Sequence, residues 1–143
     1  MTNSRKEKEN SGANIFIERI KNKIEFENIY GFGKTVFSND RKVKANYLFT
    51  IHKNQTSLNY AVAVSSKNGN SVWRSRFKRL IRESIRAEII QTGEIILPGD
   101  SSLSIIFSPG VINQSSCEKI FLKDIRPAVS DLLIKTRIKV VMK

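Results

Sequence analysis

The chain has 143 residues, which is the usual size of one domain and is long enough to bury a hydrophobic core. Its 25 Lys and Arg residues outnumber its 13 Asp and Glu residues, and the formal charge of +12 indicates a polyanionic partner, with nucleic acid as the leading candidate. The single cysteine, Cys117, excludes an intramolecular disulfide and a cysteine-based zinc site, while the lack of a signal-peptide pattern or a long apolar run predicts a cytoplasmic protein without a membrane span.

The first half of the chain predicts an arm, a short helix and two strands. Residues 1–20 are polar and charged, and we expect a mostly disordered arm there. From Lys23 onward the apolar spacing, followed by Gly31 and Gly33, predicts a short amphipathic helix with a glycine stop. Residues 46–52 and 58–65 read as strands, and in the second strand two small side chains share one face, where a helix could approach closely: Ala61 and Ala63.

The second half predicts a helix, a buried strand and a last helix. The polar loop at residues 65–70 precedes a helix expected at about 71–91, capped by Asn70 or Ser71. Residues 102–107 read as a buried strand, and residues 116–136 keep helical spacing although Pro127 is expected to kink or split that helix. The order αββαβα on a mixed sheet predicts a two-layer α/β sandwich of the α+β class. We assign one domain to 21–136 and a basic C-terminal tail to 137–143.

The predicted helix at 71–91 separates an apolar stripe from an almost purely cationic face. At about 100° per residue, Trp73, Phe77 and Leu80 fall on the stripe that faces the core. The remaining surface carries one acid, Glu83, among five arginines and one lysine: Arg74, Arg76, Lys78, Arg79, Arg82 and Arg86. A merely solvated face would mix its charge signs, because repulsion costs roughly 0.2–0.5 kcal/mol per close pair. Arginine favours bidentate phosphate contacts, so we expect RNA or DNA backbone binding, assisted by Lys67 in the loop.

The sequence contains no group of residues that predicts catalysis by the protein itself. His52 is the only histidine, and on a predicted strand it is read as a packed or solvent-facing residue rather than a general base. The acidic residues are scattered and form no cluster for two-metal hydrolysis. Gly31 and Gly33 fit a helix stop better than a phosphate loop. We therefore predict no catalytic residue and no metal site on this chain.

The run from Tyr60 to Arg86, YAVAVSSKNGNSVWRSRFKRLIRESIR, resembles the signature of the bacterial ribonuclease P protein subunits. The matching elements are a Gly-Asn-Ser-Val turn at 69–72, an Arg-Ser-Arg segment at 74–76 and Lys-Arg-Leu-Ile-Arg-Glu at 78–83. Upstream, Phe26, Ile29 and Gly33 fit the first-helix pattern of the family, and the resemblance covers about residues 22–136. Two residues depart from the family pattern, in which an asparagine and a lysine stand in place of Ser75 and Ser66. The arm and the segment at 38–44 also exceed the usual length.

The resemblance implies a protein cofactor of ribonuclease P, an endonuclease that removes the 5′ leader of precursor tRNA. It implies that the RNA subunit performs the catalysis, that Mg²⁺ is bound mainly by that RNA, and that one protein binds one RNA. It also implies a sandwich similar to a ribosomal-protein domain, with a left-handed βαβ crossover. By position, the residues expected to bind the catalytic RNA are Lys67, Asn70, Arg74, Ser75, Arg76, Lys78, Arg79, Arg82 and Arg86. The expected leader cleft contains Phe26, Tyr30 and Phe49.

Two other functions stay open at this point. One is a ribosome-associated or other structured-RNA-binding module of the same fold, which would need basic residues but not the order found at residues 60–86. The other is a basic helix that binds a membrane surface or a protein, although such a helix usually exposes large apolar side chains opposite its charges. Here the apolar stripe is expected to face the core.

Overall fold

The computed structural model of the protein describes residues 15–51, 56–92 and 101–141. Within these ranges the chain forms five strands and three helices. In chain order they are β1 (Ile15–Arg19), α1 (Lys23–Phe32), β2 (Lys34–Phe37), β3 (Val43–Ile51), β4 (Thr56–Val62), α2 (Ser71–Thr92), β5 (Ser101–Pro109) and α3 (Leu122–Val141). None of these helices combines the length and the apolar character needed to cross a membrane.

The strands form one mixed sheet in the order β1-β4-β5-β3-β2. β4 runs parallel to both β1 and β5, whereas β3 runs antiparallel to both β5 and β2. The registers place Leu58 beside Leu103 and Tyr47 beside Ile105. Helix α2 connects the parallel neighbours β4 and β5, so these elements form a βαβ unit. The predicted α+β class with a mixed sheet is confirmed, and the left-handed sense of the crossover stays a prediction.

The main hydrophobic core lies between one face of the sheet and helices α2 and α3. Alternate residues of β3, among them Val43 and Tyr47, point to this side because successive strand residues face opposite ways. Phe77 from α2 and Phe107 from β5 are completely buried there. Burial of one such side chain contributes about 1.5–3 kcal/mol, which makes this core the main source of stability.

Helix α1 packs on the opposite face of the sheet, which the predicted two-layer arrangement did not include. Its Ile29 forms a small second core with Ile20, Ala61 and Ile106. The small side chains of β4 therefore lie where a helix approaches, as predicted. The helix begins where the Asn22 side chain accepts a hydrogen bond from the Ile24 N–H at 2.7 Å. The predicted helix with a glycine stop is confirmed.

The structure contains two short strands that the sequence pattern did not predict. β1 lies inside the range 1–20 that was predicted as a mostly disordered arm, so that prediction is wrong for residues 15–19. β2 has four residues and pairs with β3. Strands this short carry little periodicity, and their formation depends on pairing with distant residues. Residues 1–14 lie outside the described residues.

Helix α3 is one continuous element that contains Pro127, so of the two predicted effects of this proline the split does not occur, and the kink stays a prediction. It begins at Leu122 rather than at residue 116, and it runs into the predicted tail as far as Val141. A proline removes one backbone hydrogen bond of the helix. The completely buried Ile125, Val129 and Leu132 lie on both sides of Pro127, and their packing holds the helix together.

Alanine substitution is expected to have opposite effects at Gly31, in the last turn of α1, and at Gly33, directly after the helix. A Cβ at Gly33 would collide with the backbone carbonyl oxygens of Tyr47 and Ile29, whereas a Cβ at Gly31 would meet no atom within 4 Å. We expect Gly33→Ala to lower the free energy of unfolding by about 1–3 kcal/mol, because β3 and α1 must move apart. Gly31→Ala should raise it by about 0.5–1 kcal/mol, because alanine restricts the unfolded chain. Urea denaturation monitored by circular dichroism measures the free energy of unfolding of both variants. Equal denaturation midpoints for the two variants would contradict this account of the α1–β3 junction.

Candidate nucleic-acid interface

The loop that precedes α2 is held by hydrogen bonds to the segment that follows β5. The Asn70 N–H donates to the Gln114 side-chain oxygen at 2.8 Å, and the Gln114 N–H donates to the Asn68 carbonyl at 2.7 Å. Within the loop, the Lys67 N–H donates to the Ser65 hydroxyl at 3.1 Å. These hydrogen bonds order the loop, so the exposed Lys67 lies on a fixed backbone.

Helix α2 begins with a side-chain cap. The Asn70 Oδ1 accepts a hydrogen bond from the Trp73 N–H at 2.9 Å, which satisfies one of the free donors of the first turn. Asn70 was predicted to bind RNA, and the structure gives its side-chain oxygen a role within the fold. Trp73 is buried, stacks on Phe77 with ring centroids 5.8 Å apart, and donates from Nε1 to the Cys117 carbonyl at 2.9 Å.

Two arginines near the start of α2 are oriented by backbone carbonyls. The Arg74 Nε donates to the Gly69 carbonyl at 3.1 Å, and the Arg76 Nε donates to the Ile120 carbonyl at 2.5 Å. A guanidinium has five N–H donors, so each keeps donors on its terminal nitrogens for an anion. Arg79 lies 3.7 Å from Glu83, but both side chains are exposed and such a pair contributes little.

Several of the predicted RNA-binding residues line one open depression along the exposed side of α2. Ser75 lies among cations from successive turns, and the short serine side chain leaves space between them. The lining residues are Ser71, Val72, Ser75, Arg76, Arg79 and Arg82. Arg86 is exposed further along the same helix. The arrangement can bind several phosphates in a row, because guanidinium groups recur along one side of the helix.

A second, smaller depression lies where α1, α2 and the edge of the sheet meet. β1 ends at Arg19, which is paired with Tyr60, so the following residues of β4 have no β1 partner. Lys78 and Arg82 of α2 reach this depression, and they meet Phe26 of α1 there. Its full lining is Arg19, Ile20, Phe26, Tyr60, Ala61, Val62, Lys78 and Arg82. The sequence reasoning missed Arg19, because this residue fell within the predicted arm.

The three predicted cleft aromatics occupy different environments. Phe26 is half-buried against the small core under α1. Tyr30 is 51% exposed, and partial burial raises the pKa of its phenol while a hydrogen bond with the Ser108 side chain opposes that rise. Phe49 packs against the main core, on the face opposite α1. The prediction of Phe49 in the leader cleft is therefore wrong, because strand alternation turns its neighbour Leu48 toward α1 instead.

The other side of α1 borders a polar groove that the sequence reasoning did not identify. The buried hydroxyls of Ser57 and Ser102 are joined by a hydrogen bond of 2.9 Å, and the Asn59 amide donates to Ser102 at 3.2 Å. Two carboxylates, Glu18 and Glu25, also line the groove. The signal was present in the alternating polar residues of β4 and β5, which point to the same face as Leu48.

The described residues do not fit a metal site, since they contain no group of three or more His, Cys, Asp and Glu side chains placed to hold an ion. The only histidine of the sequence, His52, lies outside the described residues. The side chains that line the two basic depressions offer guanidinium, ammonium and aromatic groups, which are suited to binding phosphates and bases.

Comparison with known proteins points to one family. A model of the ribonuclease P family matches residues 17–126. The ribonuclease P protein component of Clostridium novyi (strain NT) is 46% identical over 69 residues, which cover 48% of this chain and 58% of that protein. The ribonuclease P protein component of Macrococcus caseolyticus (strain JCSC5402) is 37% identical over 86 residues, which cover 55% of this chain and 68% of that protein.

Solved structures of the same family share the fold. The RNase P protein from Thermotoga maritima aligns with a TM-score of 0.57 at 20% identity, covering 80% of this chain and 94% of that one. The RNase P protein from Staphylococcus aureus aligns with a TM-score of 0.52 at 23% identity, covering 83% and 88%. At these identities the likeness shows the fold alone, and the sequence match to the first relative spans less than two thirds of its length.

Proposed function

The chain belongs to the ribonuclease P family, and from this premise we propose that it is the protein subunit of a ribonuclease P holoenzyme whose RNA performs the catalysis. The observation that carries the proposal is the cationic depression on α2, which is formed by the segment that resembles the family signature. In this proposal α2 binds the catalytic RNA, and the face of the sheet under α1 binds the 5′ leader of precursor tRNA. One protein binds one RNA in the cytoplasm.

The geometry of α2 supports binding to a phosphate backbone. Arg74 and Arg76 are already held by carbonyl groups, so less side-chain freedom is lost when they bind phosphate. Contacts to phosphates position an RNA without reading its sequence. The proposed role of α2 is therefore to fix the protein on a folded RNA of given shape.

The shared depression at the sheet edge supports a path for the leader. Arg82 borders both the depression on α2 and the one beside Phe26, and Lys78 lines the second of these. A single strand that leaves the catalytic RNA can follow these cations and Arg19 onto the sheet face, where Tyr30 offers an exposed ring. Stacking on an aromatic ring accepts any base, which suits leaders of varied sequence.

The protein's contribution to the reaction in this proposal is to bind and orient. Its cations reduce the repulsion between two polyanions, the catalytic RNA and its substrate, and this effect is largest at low ionic strength. The described residues do not fit a magnesium site, so we propose that Mg²⁺ is held mainly by the RNA. No step is assigned to a metal on this chain.

The first test of the proposal is reconstitution. We expect the purified full chain alone to leave precursor tRNA intact. Together with the RNase P RNA of the same organism, it should release the 5′ leader at Mg²⁺ and salt concentrations where that RNA alone is slow, because the cations of α2 reduce the repulsion between the two RNAs. Gel analysis of 5′-labelled precursor measures the product. Metal-dependent cleavage by the RNA-free protein, or the lack of any stimulation, would refute the proposed function.

A second test uses the salt dependence of binding to the catalytic RNA. Each neutralised phosphate contributes about 0.7–0.9 to the slope of log K against log salt. Arg79→Gln and Arg82→Gln should each weaken binding and flatten the slope by about one unit. Lys34→Gln is the matched control, because Lys34 is an exposed cation on the edge strand β2. If Lys34→Gln flattens the slope as much as the two arginine variants do, the interface is not on α2.

A third test concerns the leader. Tyr30→Ala should lower the affinity of the holoenzyme for precursor tRNA by about 1–3 kcal/mol and leave mature tRNA unaffected, because one stacked base is lost. Tyr30→Phe keeps the ring and should bind the precursor as the wild type does. Phe49→Leu is the control on the opposite face of the sheet, and it should change stability without changing the ratio of precursor to mature affinity. Filter binding with leaders of decreasing length measures the ratio of precursor to mature tRNA affinity. If this ratio is unaltered in a folded Tyr30→Ala variant, the assignment of Tyr30 to the cleft is wrong.

A further inference from the structure

Phe121 is an exposed aromatic residue at a position where local structure favours a small polar one. It directly precedes α3, and its side chain is 47% exposed. Serine, threonine, aspartate and asparagine are preferred there because their side chains accept a hydrogen bond from the first helical turn, which phenylalanine cannot do. Asp124 compensates in part by accepting from the Phe121 N–H at 3.0 Å. Within the described part of the chain, Phe121 belongs to neither hydrophobic core cluster.

Two cations lie beside the Phe121 ring. The Arg76 guanidinium carbon and the Lys123 ammonium nitrogen are each 5.7 Å from the ring centroid. Arg76 is tied to this place, because its Nε donates to the carbonyl of Ile120, the residue that precedes Phe121. Since Arg76 also lines the depression on α2, the ring continues the cationic face toward the start of α3.

An exposed aromatic ring in a basic groove is the combination by which proteins hold unpaired nucleotides. Every base has a π-face, and it stacks on an aromatic side chain while neighbouring cations contact the backbone phosphates. Bases in a duplex are already stacked on one another, so the ring selects a nucleotide in a bulge, a loop or a strand end. Resting on the proposed function, we propose that Phe121 is a stacking site for one unpaired nucleotide of the catalytic RNA, with Arg76 and Lys123 on its flanking phosphates.

Another exposed aromatic, Phe32, provides a matched comparison. Its side chain is 78% exposed at the end of α1, on the far side of the sheet from α2. The described residues place no cation over the Phe32 ring, in contrast to the ring of Phe121. Phe32→Leu therefore makes the same substitution at an exposed phenylalanine without touching the proposed stacking site.

The experiment measures binding of the full chain to the RNase P RNA over a range of KCl concentrations. Phe121→Leu should weaken binding by roughly 5- to 100-fold at every concentration, because stacking on a ring does not depend on counterion release. The slope of log K against log salt should therefore stay at the wild-type value. Phe121→Tyr keeps the ring and should bind as the wild type does, and Phe32→Leu should have no effect. Thermal melting of each variant checks that it is folded.

The possible outcomes separate this proposal from the proposed function. If Phe121→Leu binds as the wild type while Arg79→Gln weakens binding and flattens the slope, the stacking site is refuted and the interface on α2 stands. If Phe121→Leu flattens the slope by about one unit, the ring acts only by holding Arg76, and the stacking site is again refuted. Equal losses in Phe121→Tyr and Phe121→Leu would also refute it. Unchanged binding and slope in Arg79→Gln would instead refute the proposed interface.

Discussion

The packing of the apolar stripe of α2 on the sheet is the interaction on which the other features depend. Phe77 and Ile81 are completely buried in it, and Trp73 nearly so. Each such side chain contributes about 1.5–3 kcal/mol, whereas repulsion between neighbouring cations on the opposite side costs roughly 0.2–0.5 kcal/mol per pair. The packing term is several times larger, so the helix tolerates a face of like charges that would destabilise it in isolation. The cationic face therefore depends on the core beneath it.

The same helix is tied at its start to a segment far along the chain. Asn70, Trp73 and Arg76 donate hydrogen bonds to Gln114, Cys117 and Ile120, in each case 44 residues further on. The spacing is constant because both segments advance side by side, and the second one therefore sets the directions of the groups at the start of α2. A local sequence signature thus acquires its geometry from residues outside the signature.

The difference between local sequence patterns and contacts with distant residues explains which parts of the molecule could be predicted from the sequence. The 3.6-residue period identified α2 and the cationic residues on it, and runs of strand-forming apolar residues identified β3, β4 and β5, because burial leaves these patterns in the residues themselves. β1 and β2 depend on pairing with β4 and β3, so their own residues carried little signal. Phe49 was placed in the cleft only by the family resemblance, whereas neighbouring residues of a strand face opposite sides of the sheet and Leu48 is the one that faces α1. The hydrogen bond of Arg76 to Ile120 could not be predicted from the local sequence pattern, because the two residues are 44 positions apart.

The two proposed RNA-binding surfaces meet at the point where the short strand β1 ends. β1 pairs with β4 only as far as Tyr60, so Ala61 and Val62 are paired with β5 on one side and lie at an edge on the other. An open strand edge invites pairing with another chain, and charged side chains are a common protection against it. Arg19, Lys78 and Arg82 lie at this edge, where their charges can both prevent strand pairing and bind RNA. Because Arg82 borders both depressions, its substitution affects two surfaces, whereas Arg79 borders only the depression on α2 and reports on that surface alone.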